Sequence, residues 1–153
     1  MKITRAAEYA VRCVLYMARK GRDVLVTRYE VSEYADIPPK FLAKIAQDLA
    51  RAHLISIKQG PKGGFVLSKD PEEITLLQVV EIMIGEIHLN DCTHNPKGCR
   101  ASSACSVNQV WLQAKNQLRE TLSAVTFSAL MKKKSCILDQ ELVKPMGQVT
   151  GNE

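Results

Sequence analysis

The chain has 153 residues, 46% of them hydrophobic, with 21 Lys and Arg against 16 Asp and Glu for a formal net charge of +5. That is enough apolar material for one domain with an appended element. No apolar run approaches the roughly 20 residues a bilayer requires and no charged-then-apolar leader is seen, so a cytoplasmic protein with no membrane span is expected.

Five cysteines in such a chain argue against a disulfide framework, because the cytosol keeps thiols reduced; where they cluster, metal ligation or redox chemistry is the better reading. The charge is uneven. Residues 1–69 hold 13 Lys and Arg against 6 Asp and Glu, a net of +7, and residues 70–153 hold 8 against 10, a net of −2. A basic half is what a phosphate-binding surface requires, although a solvated surface can give the same count.

Along residues 4–20, Ala7, Ala10, Val11, Val14, Leu15 and Ala18 fall at helical spacing, with Thr4 placed as N-cap and Gly21 as stop. Val26 and Thr27 precede a second, brief helix in which Thr27 and Glu30 fit a capping box and Val31, Tyr34 and Ala35 supply the apolar face. Pro38 and Pro39 break it and suit a new first turn. The third helix, residues 40–52, turns Phe41, Leu42, Ile45, Leu49 and Ala52 inward. Lys40, Lys44, Gln47 and Arg51 recur at offsets of four, seven and eleven and line one outward stripe. Two short helices with a tight turn, the second bearing a basic and amide-bearing stripe, match a helix-turn-helix whose second helix enters the major groove.

Residues 54–58 read as a strand, residues 59–64 (QGPKGG) as a glycine-rich turn and residues 65–67 as the returning strand. This hairpin carries Lys58, Gln59 and Lys62. Placed directly after the recognition helix, it is the wing of a winged helix-turn-helix, where basic residues and backbone N–H groups meet phosphates or the minor groove. A nucleotide-binding loop is disfavoured, since no Lys-Ser/Thr and no helix follow the glycines. Pro71 separates the wing from a helix over residues 75–84 that packs back on the first through Leu76, Val79, Val80, Met83 and Ile84 and stops at Gly85.

Residues 91–107, DCTHNPKGCRASSACSV, are the most biased stretch, with Cys92, Cys99 and Cys105 beside Pro96, Gly98 and three serines. Such a loop is not held by packing. Three thiolates fall short of the four N or S ligands of a closed zinc site, and iron–sulfur clusters are likewise held mostly by thiolates. Spacing alone leaves a cluster, zinc and redox thiols open, with His88, His94 and Asn108 as local candidates for a fourth ligand and carboxylates as distant ones. Cys13, on an apolar helix face, reads as a small buried hydrophobe, and Cys136 has no assigned role.

Val107, Trp111, Ala114, Leu118, Leu122, Val125 and Ala129 then recur in steps of three and four. The spacing predicts one helix over residues 107–134, about 40 Å long at 1.5 Å per residue, whose stripe a lone small domain cannot cover. A homodimer paired along it covers the stripe and suits paired half-sites. The expected organisation is mainly α with a small β-hairpin. Residues 1–85 form a winged helix-turn-helix DNA-binding domain, 86–106 a cysteine loop, 107–134 a dimerisation helix and 135–153 a flexible tail. No nucleophile-base-orienter set or carboxylate pair stands out, so an enzyme is not expected.

The opening MKITRAAEYAVRCVLYMA, the helix PPKFLAKIAQDLARAHLI, the wing KQGPKGGFVLSKDPEEITLLQVVEIMIG and the three-cysteine loop before a long helix resemble the iron–sulfur-dependent winged-helix transcription regulators of bacteria. The resemblance spans residues 1–134. It implies a cytoplasmic homodimer that binds double-stranded operator DNA and carries one 2Fe-2S or 4Fe-4S cluster per subunit, sensing redox state, nitric oxide or iron–sulfur status. Carried over residue by residue, Cys92, Cys99 and Cys105 fall on the cluster cysteines. One branch of the family places a histidine ligand three residues after the third cysteine, where this chain has Asn108, a poor iron ligand. Another uses a carboxylate of the first helix reaching from the other subunit, and the matching residue is Glu8; otherwise Glu8 is a surface carboxylate favoured near a helix N-terminus. Such a hard ligand beside three soft thiolates is the corner that oxidant, nitric oxide or iron loss attacks first. Pro38 stands where many relatives have a small polar residue and Gln59 where they have a wing arginine. The expected DNA contacts are Lys40, Lys44, Gln47, Arg51, Lys58, Gln59 and Lys62. The alternative is a regulator of the same fold that binds zinc or uses its thiols directly as a redox or thiol-stress sensor.

Overall fold

The computed structural model describes residues 3–101 and 103–133; the tail expected over residues 135–153, with Cys136, lies outside them. Helix α1 (Arg5–Lys20) is capped by the Thr4 hydroxyl, which accepts from the Ala7 N–H at 3.3 Å. It ends where Gly21, at φ 111°, donates its N–H to the Met17 carbonyl. Its buried residues include Ala7, Ala10, Cys13, Val14, Leu15, Tyr16, Met17 and Ala18, more than one stripe of an amphipathic helix accounts for.

A short strand, β1 (Leu25–Val26), leads into α2 (Arg28–Tyr34). The expected capping box closes it: Thr27 Oγ1 accepts from the Glu30 N–H at 3.1 Å, and Glu30 Oε2 accepts from the Thr27 N–H at 2.8 Å. Helix α3 (Pro39–Arg51) starts on proline and buries Leu42, Ile45, Ala46 and Leu49. Phe41 corrects the expectation that it points inward: it is 40% exposed and rests its ring against Tyr9, centroids 5.6 Å apart.

The wing strands β2 (Ile55–Lys58) and β3 (Gly64–Leu67) are antiparallel, and β3 also pairs with β1, giving a three-stranded sheet in the order β1-β3-β2. The expected two-stranded hairpin therefore gains a strand. The register that sets Val26 opposite Phe65 brings the backbones so close at Gly64 that an added Cβ would lie 2.1 Å from the Val26 carbonyl oxygen. Helix α4 (Leu76–Ile84), capped by Thr75 and stopped by Gly85, packs on α1 as expected.

The cysteine stretch is partly helical, with α5 (Asp91–His94) and a single 3-10 turn (Pro96–Gly98). The long helix is not continuous: α6 (Ser106–Ser123) ends at Ala124, and α7 (Phe127–Met131) begins after Thr126, whose hydroxyl caps the Ala129 N–H at 3.3 Å. Between them the backbone pairs with the chain entering α4. Leu76 N–H donates to the Val125 carbonyl and Phe127 N–H to the Ile74 carbonyl, both at 2.9 Å. These bonds and the burial of Phe127 outweigh the helical spacing of residues 107–134. Helix α6 is thus about 27 Å long at 1.5 Å per residue, and α7 folds onto α1.

Gly64→Ala should destabilise the chain by roughly 1–3 kcal/mol through overpacking, measured by chemical denaturation; unchanged stability would contradict the close approach. The Glu30 carboxyl is held below its usual range, chiefly by the Thr27 backbone N–H, with the nearby Lys20 ammonium adding to it. Its contribution is therefore present above the ordinary carboxylate range and lost as pH falls through the lowered value. Glu30→Gln should flatten that acid limb of the stability profile.

Candidate nucleic-acid interface and cysteine loop

Lys40, Lys44, Gln47 and Arg51 are all exposed along α3. Asp48 stands within this stripe. Its side chain is 16% exposed, with Arg51 at 2.9 Å and Lys44 at 3.8 Å. Such surface pairs contribute only about 0.2–1 kcal/mol, so Asp48 holds Lys44 and Arg51 weakly. The signal for Asp48 was present as its spacing of four from Lys44 and three from Arg51. Lys40 has no carboxylate partner among the described residues, its ammonium lying 5.3 Å from the Phe41 ring centroid. Lys58, Gln59 and Lys62 are exposed at the wing, and neither lysine is ion-paired among the described residues.

The cysteine loop is anchored at both ends. Asn108, buried on α6, donates its Nδ2 to the Cys92 carbonyl at 3.3 Å, which ties the loop to α6. Lys115 pairs with Glu86 at 2.7 Å, and Glu81, paired with Arg119, accepts from the Ile87 N–H at 2.8 Å. The ammonium of Lys115 also holds the Glu86 carboxyl below its usual range. His88 and His94 stack with ring centroids 4.6 Å apart.

Cys92 and the exposed Cys99 line one open hollow of about 490 Å³ with Asp91, His94 and Asn95. Cys92 Sγ donates to Asn90 Oδ1 at 3.4 Å. Cys105 is partly buried at the N-cap of α6 and does not line that hollow. Glu8 sits on the first turn of α1, 3.7 Å from Arg5. It lines a different cleft of about 280 Å³ with Val11, Arg12, Leu76, Val80 and Leu122, bounded by α1, α4 and α6. Among the described residues no three His, Cys, Asp or Glu side chains are gathered to hold a metal ion. As placed in one chain the three thiols stand apart, so a cluster or zinc ion on them would require the loop to close and a further donor to join. Cys13 is fully buried, as its sequence setting predicted, and burial pushes its thiol up to about 12.

The description of the Rrf2 family, iron-dependent transcriptional regulators, matches residues 3–133. The chain belongs to the Rrf2 family. Relatives of this Rrf2 protein include the HTH-type transcriptional regulator NsrR of Halalkalibacterium halodurans, 28% identical over 132 residues, covering 86% of this chain and 90% of that one. The HTH-type transcriptional regulator IscR of Aliivibrio salmonicida is 26% identical over 131 residues, covering 86% and 77%. The structure of CymR, the global cysteine regulator of B. subtilis, shares the fold with a TM-score of 0.72 at 18% identity, covering 88% of this chain and 99% of that one. This Rrf2 chain is accordingly a winged-helix DNA-binding transcriptional regulator and not an enzyme. No described helix is long and apolar enough to cross a membrane.

Burial orders the thiols by reactivity, because the thiolate is the nucleophile and burial suppresses it. Among Cys13, Cys92, Cys99 and Cys105 of the folded protein, an alkylating reagent should modify Cys99 first, Cys92 and Cys105 more slowly, and Cys13 last. Peptide mass spectrometry after short exposure reads this order, and early labelling of Cys13 would contradict it.

Proposed function

We propose that this Rrf2 protein binds operator DNA as a homodimer and that an iron–sulfur cluster on Cys92, Cys99 and Cys105 sets its affinity. In this reading Lys40, Lys44, Gln47 and Arg51 enter the major groove, and Lys58, Gln59 and Lys62 meet the flanking backbone or minor groove. The observation that carries the DNA reading is the exposed stripe of α3 beside a wing whose lysines are free of carboxylates. The dimer is supported by Val107, Val110, Trp111 and Leu112, which leave a run of exposed apolar surface on α6.

The cluster reading is supported by the family description as iron-dependent and by three soft donors on a polar loop. Because the donors are not gathered in one chain, ligation requires the loop to close. Glu8 as a fourth donor would have to arrive from the other subunit. A contiguous packed route runs from this loop to α3: Asn108 and Glu86 tie the loop to α6, α6 packs on α4, and α4 packs on α3 directly and through α1. A second reading, direct thiol sensing, is favoured by the placement of Cys92 and Cys99 around one hollow.

Anaerobic reconstitution with iron and sulfide separates the two. The cluster reading expects a coloured protein whose visible spectrum is lost in Cys92→Ser, Cys99→Ser and Cys105→Ser, and whose operator affinity differs with and without the cluster. A colourless product whose DNA affinity follows thiol oxidation would sink it in favour of thiol sensing. Trp111→Glu should shift sedimentation toward the monomer and weaken operator binding together.

A further inference from the structure

Between the start of α2 and the wing turn lies a hollow of about 310 Å³, with Arg28 and Tyr29 on one wall and Gln59, Gly60 and Pro61 on the other. Its existence follows from the sheet. Strand β1 ends at Val26, Thr27 caps α2, and β3 leaves the wing turn opposite Val26. Two glycines keep the turn tight and close to β1: a Cβ added at Gly63 would be 2.2 Å from the Lys58 carbonyl oxygen within the turn itself, and one at Gly64 would be 2.1 Å from the Val26 carbonyl oxygen.

The chemistry of the walls is one-sided. Arg28 is exposed, pairs with no carboxylate among the described residues, and has its guanidinium 6.0 Å from the Phe65 ring centroid. Tyr29 is 73% exposed, an aromatic side chain left outside the core. The nearest acidic residue in sequence, Glu30, is turned back into the capping box and toward Lys20. The residues lining the hollow thus include one that carries a cation, one that carries a phenol and one that carries an amide, with no carboxylate among them. Arg28 and Tyr29 also border Pro39 and Ala43 at the start of α3, which places them on the side of the molecule where Lys40 begins the exposed stripe.

We infer that this hollow seats a backbone phosphate of the operator duplex, with the Arg28 guanidinium and the Tyr29 hydroxyl as donors. The inference rests on the DNA-binding reading above and adds a contact outside both the α3 stripe and the wing lysines. A phosphate held between α2 and the wing fixes the wing relative to α3 on the DNA. It contributes affinity and register but does not read sequence.

The test uses a duplex isolated by the wild-type chain from a random-sequence pool and a scrambled duplex of the same length, titrated across salt concentrations. Arg28→Ala should bind about tenfold more weakly, equally on both duplexes, with the log–log salt slope shallower by about 0.9 for one lost phosphate. Arg28→Lys should restore the slope, and Tyr29→Phe should weaken binding at unchanged slope. Arg28→Gln provides the same comparison if the alanine variant melts early. Wild-type affinity and slope in Arg28→Ala and Arg28→Gln would overturn the inference while leaving DNA binding intact, and so would a loss confined to the selected duplex, which would make Arg28 a base reader. Failure of the wild-type chain to retain any duplex would overturn the DNA-binding reading itself.

Discussion

Burial of α1 on nearly every side is the constraint from which the rest of the molecule follows. The helix packs against α2, α3, α4, α7 and β3, so neither the reading head nor the cysteine-bearing half can be placed without it. At about 1.5–3 kcal/mol for each large apolar side chain removed from water, its Val14, Leu15 and Met17 hold the domain together. The polar residues α1 can afford are at its margins. Arg12 reaches across to Asp36 at 3.3 Å, where the chain turns into α3, and Glu8 faces the cleft bounded by α4 and α6. A displacement of α1 would thus be felt both at that cleft and at the first turn of α3.

Much of this was legible in the sequence where a local physical rule dominates. Thr4, Thr27 with Glu30, and Pro39 open helices as their side chains dictate, Gly85 ends one at φ 79°, where a residue without a Cβ is favoured, and the glycines of residues 59–64 mark the wing. What was not legible depends on partners distant in the chain. Two residues, Leu25 and Val26, are too short a run to announce a strand; they become one because Val66 and Phe65 pair with them. The break after Ser123 is hidden by a helical pattern that continues through it, and is decided by backbone bonds to residues 74 and 76. Phe41 has the right spacing for the core, yet Tyr9 meets it at the surface.

Charge shows the same division. Counting assigns the first half a large positive excess, but several of its cations are already paired: Arg12 with Asp36, Lys20 with Glu30, and Lys44 and Arg51 with Asp48. Arg28, Lys40, Lys58 and Lys62, at the starts of α2 and α3 and on the wing, have no carboxylate partner among the described residues. A net charge steers a protein toward an anion; which cations can meet one without first giving up a carboxylate depends on the pairs the fold has made. Sequence counts cannot make that distinction, because it requires knowing which carboxylates the fold brings near.

The cysteine loop is weakly specified by packing, and that has a mechanical consequence. Among the described residues from Asp91 to Ala104 only Thr93 is buried, and the loop is tied down by Asn108 holding the Cys92 carbonyl and by the Glu86 and Glu81 pairs to α6. Cys105 is itself the N-cap of α6 and offers no side-chain cap bond there. Any species that draws Cys92, Cys99 and Cys105 together therefore takes hold of the first turn of α6, whose Val107, Val110 and Trp111 are exposed. A change in the position of the thiols would be felt first at that apolar face, and α3 lies beyond it through α4, which packs on α3 directly and on α1. A loop that packing held firmly would have no such leverage, because its thiols could not change position without disrupting the core.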